Sequence, residues 1–288
     1  MKFVSKANLE LFAAELKKQG GSSKASDIDT ESATAGQLLG TDGSGNTEWE
    51  SPMTDDDVDM MFIEKGTILK MNLDGTERQY RVLKNVSGSV FEVLGMFIPL
   101  ETNSVRYNTT STTDTFADGS TGQKYAGSTL DTALNTTWYG TLSSDAKAAI
   151  VDKNITQDMW RRDNTLTPAY IGKFSTSSSY YVSIKDGATL AVGNRHVYAP
   201  SLQDIIDYLE VTPQMTSSNT TLTDANLQEL VGTTDTVTFW LRTADKSLSD
   251  YAMVIEYLQA VNRESVTALR KAYPAFQIDL SKITYTEV

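Results

Sequence analysis

Thr238-Phe239-Trp240-Leu241-Arg242 and, further on, Ala272-Tyr273-Pro274-Ala275-Phe276-Gln277-Ile278-Asp279-Leu280 are the stretches on which the fold turns. Both carry the β-branched and aromatic residues that suit a pleated, half-buried surface. Alternation puts Phe239 and Leu241 on one face of the first, and Trp240 and Arg242 on the other. Two readings follow for that second face. It is a recognition surface, where aromatic planes and Arg are favoured, or a second core layer in which Trp240 packs and Arg242 pairs with an acid. Packing takes precedence, because aromatics of this kind more commonly fill cores.

Working outward, Ser201 caps a helix whose Leu202, Ile205, Ile206 and Leu209 face inward. Asp74-Gly75 sits between Thr67–Met71 and Gln79–Leu83, a hairpin signal, and Val90–Phe97 follows as a third strand across Ser87-Gly88. Asp186-Gly187 predicts a second hairpin between Tyr180–Ile184 and Thr189–Val192. Leu130, Ala133, Leu134 and Trp138 fall on one helical face, and Ser144 to Val151 reads as another Ser-capped helix. Met253–Tyr257 reads as a strand, and Phe276–Leu280 as the closing one. Residues 101–128 are rich in Thr, Ser, Asn, Asp and Gly and read as a long exposed loop. The expected class is α+β, mainly antiparallel sheets with inserted helices.

The N-terminal part differs in texture. Ser5 caps a short helix with Leu9, Phe12, Ala13 and Leu16 on one stripe, ended by Gly20-Gly21. Residues 20–51 have a linker composition, yet within them Leu38-Leu39 and Trp49 flank Asp42-Gly43 and Ser44-Gly45, the makings of a miniature hairpin. Thr54-Asp55-Asp56-Asp57 lacks the Gly and distal Glu of a calcium loop and reads as a helix start. The division expected is residues 1–55 and residues 56–288.

Composition narrows function. Across 288 residues, 25 Lys and Arg face 37 Asp and Glu, a net charge of −12 that opposes a phosphate-tracking groove, so no nucleic-acid partner is expected. No cysteine is present, which removes disulfides, thiolate metal sites and a Cys nucleophile. No window approaches the roughly 18 apolar residues of a membrane span, and the start lacks a signal-peptide core, so neither span nor signal-directed export is expected. His196 is the sole histidine and has neither a nucleophile elbow nor other imidazoles beside it; it reads as a surface or strand-edge residue. Neither a phosphate-cradling loop nor a dinucleotide fingerprint occurs. The expectation is a protein without catalysis, cofactor or metal.

Two resemblances add to this. Ala33 to Trp49, with the opening Phe3-Val4-Ser5-Lys6-Ala7-Asn8-Leu9-Glu10-Leu11-Phe12, resembles the Gly-rich collar near the start of phage tail-fibre and baseplate proteins. From Gly66 to Asp279, Tyr80-Arg81-Val82-Leu83, Tyr125 through Leu130 and Leu134-Asn135 to Trp138, Pro200-Ser201-Leu202, Trp240-Leu241-Arg242-Thr243 and Tyr273 to Leu280 are similar in order to a domain family of unassigned function in phage structural and Gram-positive surface proteins. Tyr273 stands where that pattern has Arg, and Thr243 where it has Ser. These resemblances imply a virion protein: a homotrimeric fibre or baseplate component, joined to other virion proteins through Leu9, Phe12, Leu16, Leu38, Leu39 and Trp49. They imply a head distantly similar to C-type-lectin-like folds that meets a host-surface glycan. A capsid-anchored head fibre or decoration protein is the alternative, and a surface-glycan hydrolase the second. Candidate ligand contacts are the loop residues Tyr107, Asn108, Tyr125, Tyr170, Tyr180 and Tyr181, since Tyr and Asn give contact area and adaptable hydrogen bonds.

Overall fold

The computed structural model describes residues 38–41, 47–50, 63–96, 104–163, 170–173, 181–183, 189–210, 230, 238–246, 248–256 and 260–288. The chain divides into two units, Met1–Asp55 and Asp56–Val288. In the first, β1 (Leu38–Thr41) and β2 (Thr47–Glu50) pair antiparallel, Leu39 opposite Trp49 and Leu38 opposite Glu50. This is the miniature hairpin expected. The Ser5-capped helix with Leu9, Phe12 and Leu16, and the Thr54 helix start, lie outside the described residues.

In the second unit β3 (Ile68–Asn72) and β4 (Glu77–Ser87) form the first predicted hairpin. Gly75 supplies the left-handed conformation at its turn (φ 90°), and the Asp74 carboxylate accepts from the Thr76 N–H at 3.1 Å. β5 (Val90–Gly95) returns along β4 as expected.

The 101–128 stretch departs from the loop reading. It contains β6 (Val105–Arg106), β7 (Thr113–Thr115) and β8 (Thr121–Gln123), and it buries Tyr107, Phe116, Gln123 and Tyr125. Its polar composition is compatible with burial because side chains satisfy the backbone locally: the Gln123 carbonyl accepts from Thr112 N–H, and its amide donates to Ser111 at 2.7 Å.

The helical run is α1 (Thr129–Thr132), a π-helix Ala133–Trp138 and α2 (Tyr139–Thr141), capped by Ser128. Leu130, Leu134 and Trp138 bury as predicted, while Ala133 is only half-buried. Residues four apart share one face of a helix, which is why Leu130, Leu134 and Trp138 bury together. α3 (Ser144–Ala149) takes its cap from Ser143, whose hydroxyl accepts from Ala146 N–H at 3.1 Å, rather than from Ser144. It ends before Ile150 and Val151, which belong to β9 (Ile150–Val151) instead of extending the helix; two β-branched residues there favour the strand.

β10 (Lys153–Asp163) is the long organising strand of the second half. β11 (Tyr170–Lys173), β12 (Tyr181–Ser183) and β13 (Thr189–Arg195) follow. The predicted hairpin across Asp186-Gly187 gives way to another pairing: β12 lies on the Arg161–Asp163 end of β10, and β13 on its Lys153–Asp158 end. A long partner offers more ladder hydrogen bonds than two short strands offer each other. Ser201 caps α4 (Leu202–Leu209), with a reciprocal capping box to Asp204.

β14 (Thr238–Asp245), β15 (Tyr251–Glu256), β16 (Ala260–Ser265), β17 (Leu269–Arg270), β18 (Ala275–Asp279) and β19 (Tyr285–Glu287) complete the chain. β18 is interior to its sheet and is not the closing strand, since β19 returns to β3.

The fold is therefore mostly antiparallel β with short helices. One sheet runs β19-β3-β4-β5-β18-β9, and another β11-β12-β10-β14-β15-β16 with β13 on β10. Its β10–β14 pair is parallel. Between them one core joins Leu69, Tyr80, Phe91 and Val93 to Leu134, Trp138, Leu202, Phe239 and Phe276. Phe276 is its meeting point, with Tyr80 edge-on at 5.6 Å and Trp138 at 5.7 Å. Tyr273, at the position where the resembling pattern has Arg, packs edge-on against Phe239 at 4.9 Å, and burial pushes its phenol up to about 12.

Candidate functional site

The fully buried face of β14 settles the first question asked of Trp240 and Arg242. The Trp240 indole donates to Val105 O at 2.7 Å and meets Tyr107 edge-on at 5.5 Å. Arg242, 4 % exposed, donates to Thr156 O (2.8 Å), Ala199 O (2.9 Å) and the Asp204 carboxylate (2.6 Å). Asp204 also accepts from Ser201 N–H, so the helix cap and the ion pair share one carboxylate. Burial alone would raise that carboxyl; the Arg242 charge and then Lys153, with hydrogen bonds from Arg242 and Ser201, outweigh it and hold it at about 2. Asp158 lies in the same layer and accepts from Thr243 Oγ1 (2.6 Å) and Trp160 Nε1 (2.7 Å). For this carboxyl, burial prevails over Arg242 and the two hydrogen bonds, and it is raised.

Tyr107 and Tyr125, two of the predicted ligand contacts, belong to this interior layer. The Tyr107 hydroxyl donates to Arg242 O (3.1 Å) and accepts from Gln157 (2.9 Å), and the Tyr125 hydroxyl accepts from Ala199 N–H (3.0 Å). Burial raises both phenols, keeping them neutral hydrogen-bonding groups. They are removed from the candidate contacts: their flanks are polar, but each side chain fills a core position. Asn108 is half-buried and turned inward on its own loop, accepting from Thr109 N–H at 3.1 Å. Tyr170 and Tyr181 are strand residues of β11 and β12, Tyr170 paired with Ser183 and Tyr181 with Asp163 and Lys173. Their side chains, and Tyr180 altogether, lie outside the described residues.

A second buried cluster surrounds Glu92, which is 2 % exposed. It accepts from Tyr198 Oη (2.8 Å) and Lys153 Nζ (2.7 Å), with Lys84 Nζ at 3.3 Å. Both clusters tie β-strands to distant segments and act as fold locks.

The accessible chemistry lies elsewhere, at the end of the helical run. Tyr139, immediately after the π-helix, stacks on His196 with centroids 4.2 Å apart and planes within 11°. His196 follows β13, and its Nδ1 is paired with Asp152 in the β9–β10 connection. The two side chains are 40 % and 48 % exposed. Asn135, from the π-helix, accepts from the backbone N–H of His196 (2.9 Å) and Val197 (3.2 Å). Lys147 Nζ rests 5.7 Å from the Tyr139 centroid and donates to Gly140 O at 2.9 Å. Partial burial, with Asp152 adding to it, raises the Tyr139 phenol. The surface-histidine reading of His196 fits its place, but sequence reasoning missed its partners. No local signal pointed to them, since Tyr139 and Asp152 reach His196 from segments distant in the chain.

These features define a β-rich α+β unit with an ion-paired interior and a stacked aromatic pair at its surface. The chain belongs to the family described as Domain of unknown function (DUF6273), which matches residues 105–280, more than half of its length. No curated protein and no solved structure matches it. The matched segment starts at β6, whereas β3, β4 and β5 belong to the same sheet as β18 within it. Among the described residues no helix is long and apolar enough to cross a membrane.

Proposed function

We propose that this chain is a structural protein of a bacteriophage virion, a tail-fibre or baseplate component. Residues 1–55 attach and trimerise, and residues 56–288 display a binding head, C-type-lectin-like at a distance, to a host-surface glycan. The observation that carries the reading is the N-terminal hairpin: Leu38–Thr41 and Thr47–Glu50 pair across the Gly-rich collar pattern, inside a unit distinct from the head. The head adds support, because Arg242, Asp204, Asp158 and Glu92 are committed to internal partners that hold strands together. In a particle, several heads acting together turn weak single contacts into firm attachment.

Purified protein is incubated with intact bacterial cells, and both retained protein and released reducing sugar are measured. Retention without sugar release is expected; sugar release lost on replacing one Asp or Glu would establish a hydrolase instead. Electron microscopy of labelled particles places the protein on tail or capsid, and a capsid position moves it to the head-fibre class. Protein lacking residues 1–50 should fold yet stay out of particles; normal incorporation would overturn the attachment role.

A further inference from the structure

We infer that the Tyr139–His196 stack, rimmed by Asp152 and Lys147, is the ligand-contact surface of the head and takes a neutral pyranoside. This deepens the display reading and rests on it for the glycan class; the contact residues and the charge class come from the site itself.

The local backbone is the first ground. A π-helix of six residues is rare, and widened turns recur at functional sites. Here Asn135 and Tyr139, four residues apart and so on one face of the run, reach the same neighbour. Asn135 fixes the backbone at His196 and Val197, and Tyr139 lies flat on the imidazole. The stack is thus held before any ligand arrives, which lowers the ordering cost of binding.

Exposure is the second ground. Tyr80, Tyr107, Tyr125, Tyr198 and Trp240 are all buried, whereas the His196 side chain is open to solvent and Tyr139 is half-buried beside it. A rigid aromatic plane at the surface offers contact area at low entropic cost.

Donor and acceptor chemistry selects the ligand. With Nδ1 paired to Asp152, Nε2 remains as a second hydrogen-bonding position on the imidazole edge. The second carboxylate oxygen of Asp152 is another. A hydroxyl, which both donates and accepts, can bond at either position while the sugar ring lays its C–H face on the aromatic pair. An acidic sugar is opposed by Asp152, and a guanidinium by the Lys147 ammonium beside Tyr139. A metal ion is poorly served, since among the described residues no third imidazole or carboxylate joins His196 and Asp152.

The test titrates full-length, isotope-labelled protein with methyl β-D-glucopyranoside, methyl β-D-galactopyranoside and methyl α-D-mannopyranoside, using sialyllactose and arginine amide as charged comparators. At least one neutral glycoside should shift the His196 and Tyr139 ring resonances, with Kd on the order of 1 mM as a single shallow contact allows. Tyr139→Ala should weaken binding about tenfold through loss of the stacked plane, while Tyr139→Phe, which keeps that plane, stays within about twofold. Shifts confined to another surface, preference for either charged comparator, or unchanged binding in Tyr139→Ala would each overturn the assignment. Cell retention is measured in parallel for wild type, Tyr139→Ala and Asp152→Asn. Equal retention by all three keeps the display reading and rejects this site; absence of retention and of any glycoside shift rejects both.

Discussion

Replacing Asp204 by Asn probes the ion pair on which β14 and α4 are joined. The substitution preserves size and one acceptor but removes the charge facing Arg242, which is 4 % exposed and otherwise held by the carbonyls of Thr156 and Ala199. Losing one partner of a buried pair costs about 3–5 kcal/mol. The retained carbonyl contacts and the neighbouring Asp158 place this case near the lower end, about 3 kcal/mol. Protonation gives a separate figure. The Asp204 carboxyl sits at about 2, against 3.8 when unperturbed, which corresponds to about 2 kcal/mol at neutral pH. Because the folded value is depressed, that contribution is complete above 3.8 and disappears as pH falls toward 2. Guanidinium unfolding of wild type and Asp204→Asn at pH 7, 4 and 2.5 should therefore show a penalty that shrinks as the solution is acidified. Asp158 runs the other way: its raised carboxyl disfavours the charged fold, so acidification relieves rather than removes stability there. An Asp204→Asn penalty that is equal at pH 7 and pH 2.5, or below about 1 kcal/mol at pH 7, would refute the ion-pair argument.

Gly122→Ala should destabilise the second unit by about 1–2 kcal/mol, because a Cβ there would lie 2.5 Å from Met159 Cε and 3.3 Å from Ala244 Cβ. By thermal unfolding, the Gly122→Ala, Met159→Ala double variant should lose less than the sum of the two single variants, and strict additivity would contradict the clash. A fragment limited to residues 105–280 should fail to give a sigmoidal melt by circular dichroism, since it lacks β5 beside β18 and Tyr80 against Phe276; a cooperative transition would show that the matched segment folds alone. Asn135→Ala should cost about 1–2 kcal/mol by orphaning the N–H groups of His196 and Val197, and should broaden the His196 ring signals. Unchanged signals with unchanged stability would detach the π-helix from the surface stack.

Local chemistry in the chain was enough to specify the β3–β4 hairpin, the β5 return, the Ser201 cap and the small hairpin at Leu38–Glu50. Each depends on turn residues or a cap within a few positions of the strands and helix they set. Alternation likewise placed Trp240 and Arg242 on one face and led to a paired interior arginine. Sequence could not say that the acid would be Asp204, because the pair joins a helix cap to a strand 38 residues away.

Tertiary structure alone decided the rest. Tyr107 and Tyr125 stand in polar stretches, and only Gln157, Arg242 and Ala199 arriving from elsewhere make burial of their hydroxyls favourable. β12 and β13 left each other for β10, a choice made by strand length and register across the sheet. His196 stood alone in the sequence, with Tyr139 57 residues before it; contact between them exists because Asn135 and Asp152 bring three separate segments to one edge. Short-range rules fix turns and caps, where the interacting groups are neighbours in the chain. Long-range pairing depends on which polar groups must find partners once the apolar faces have closed.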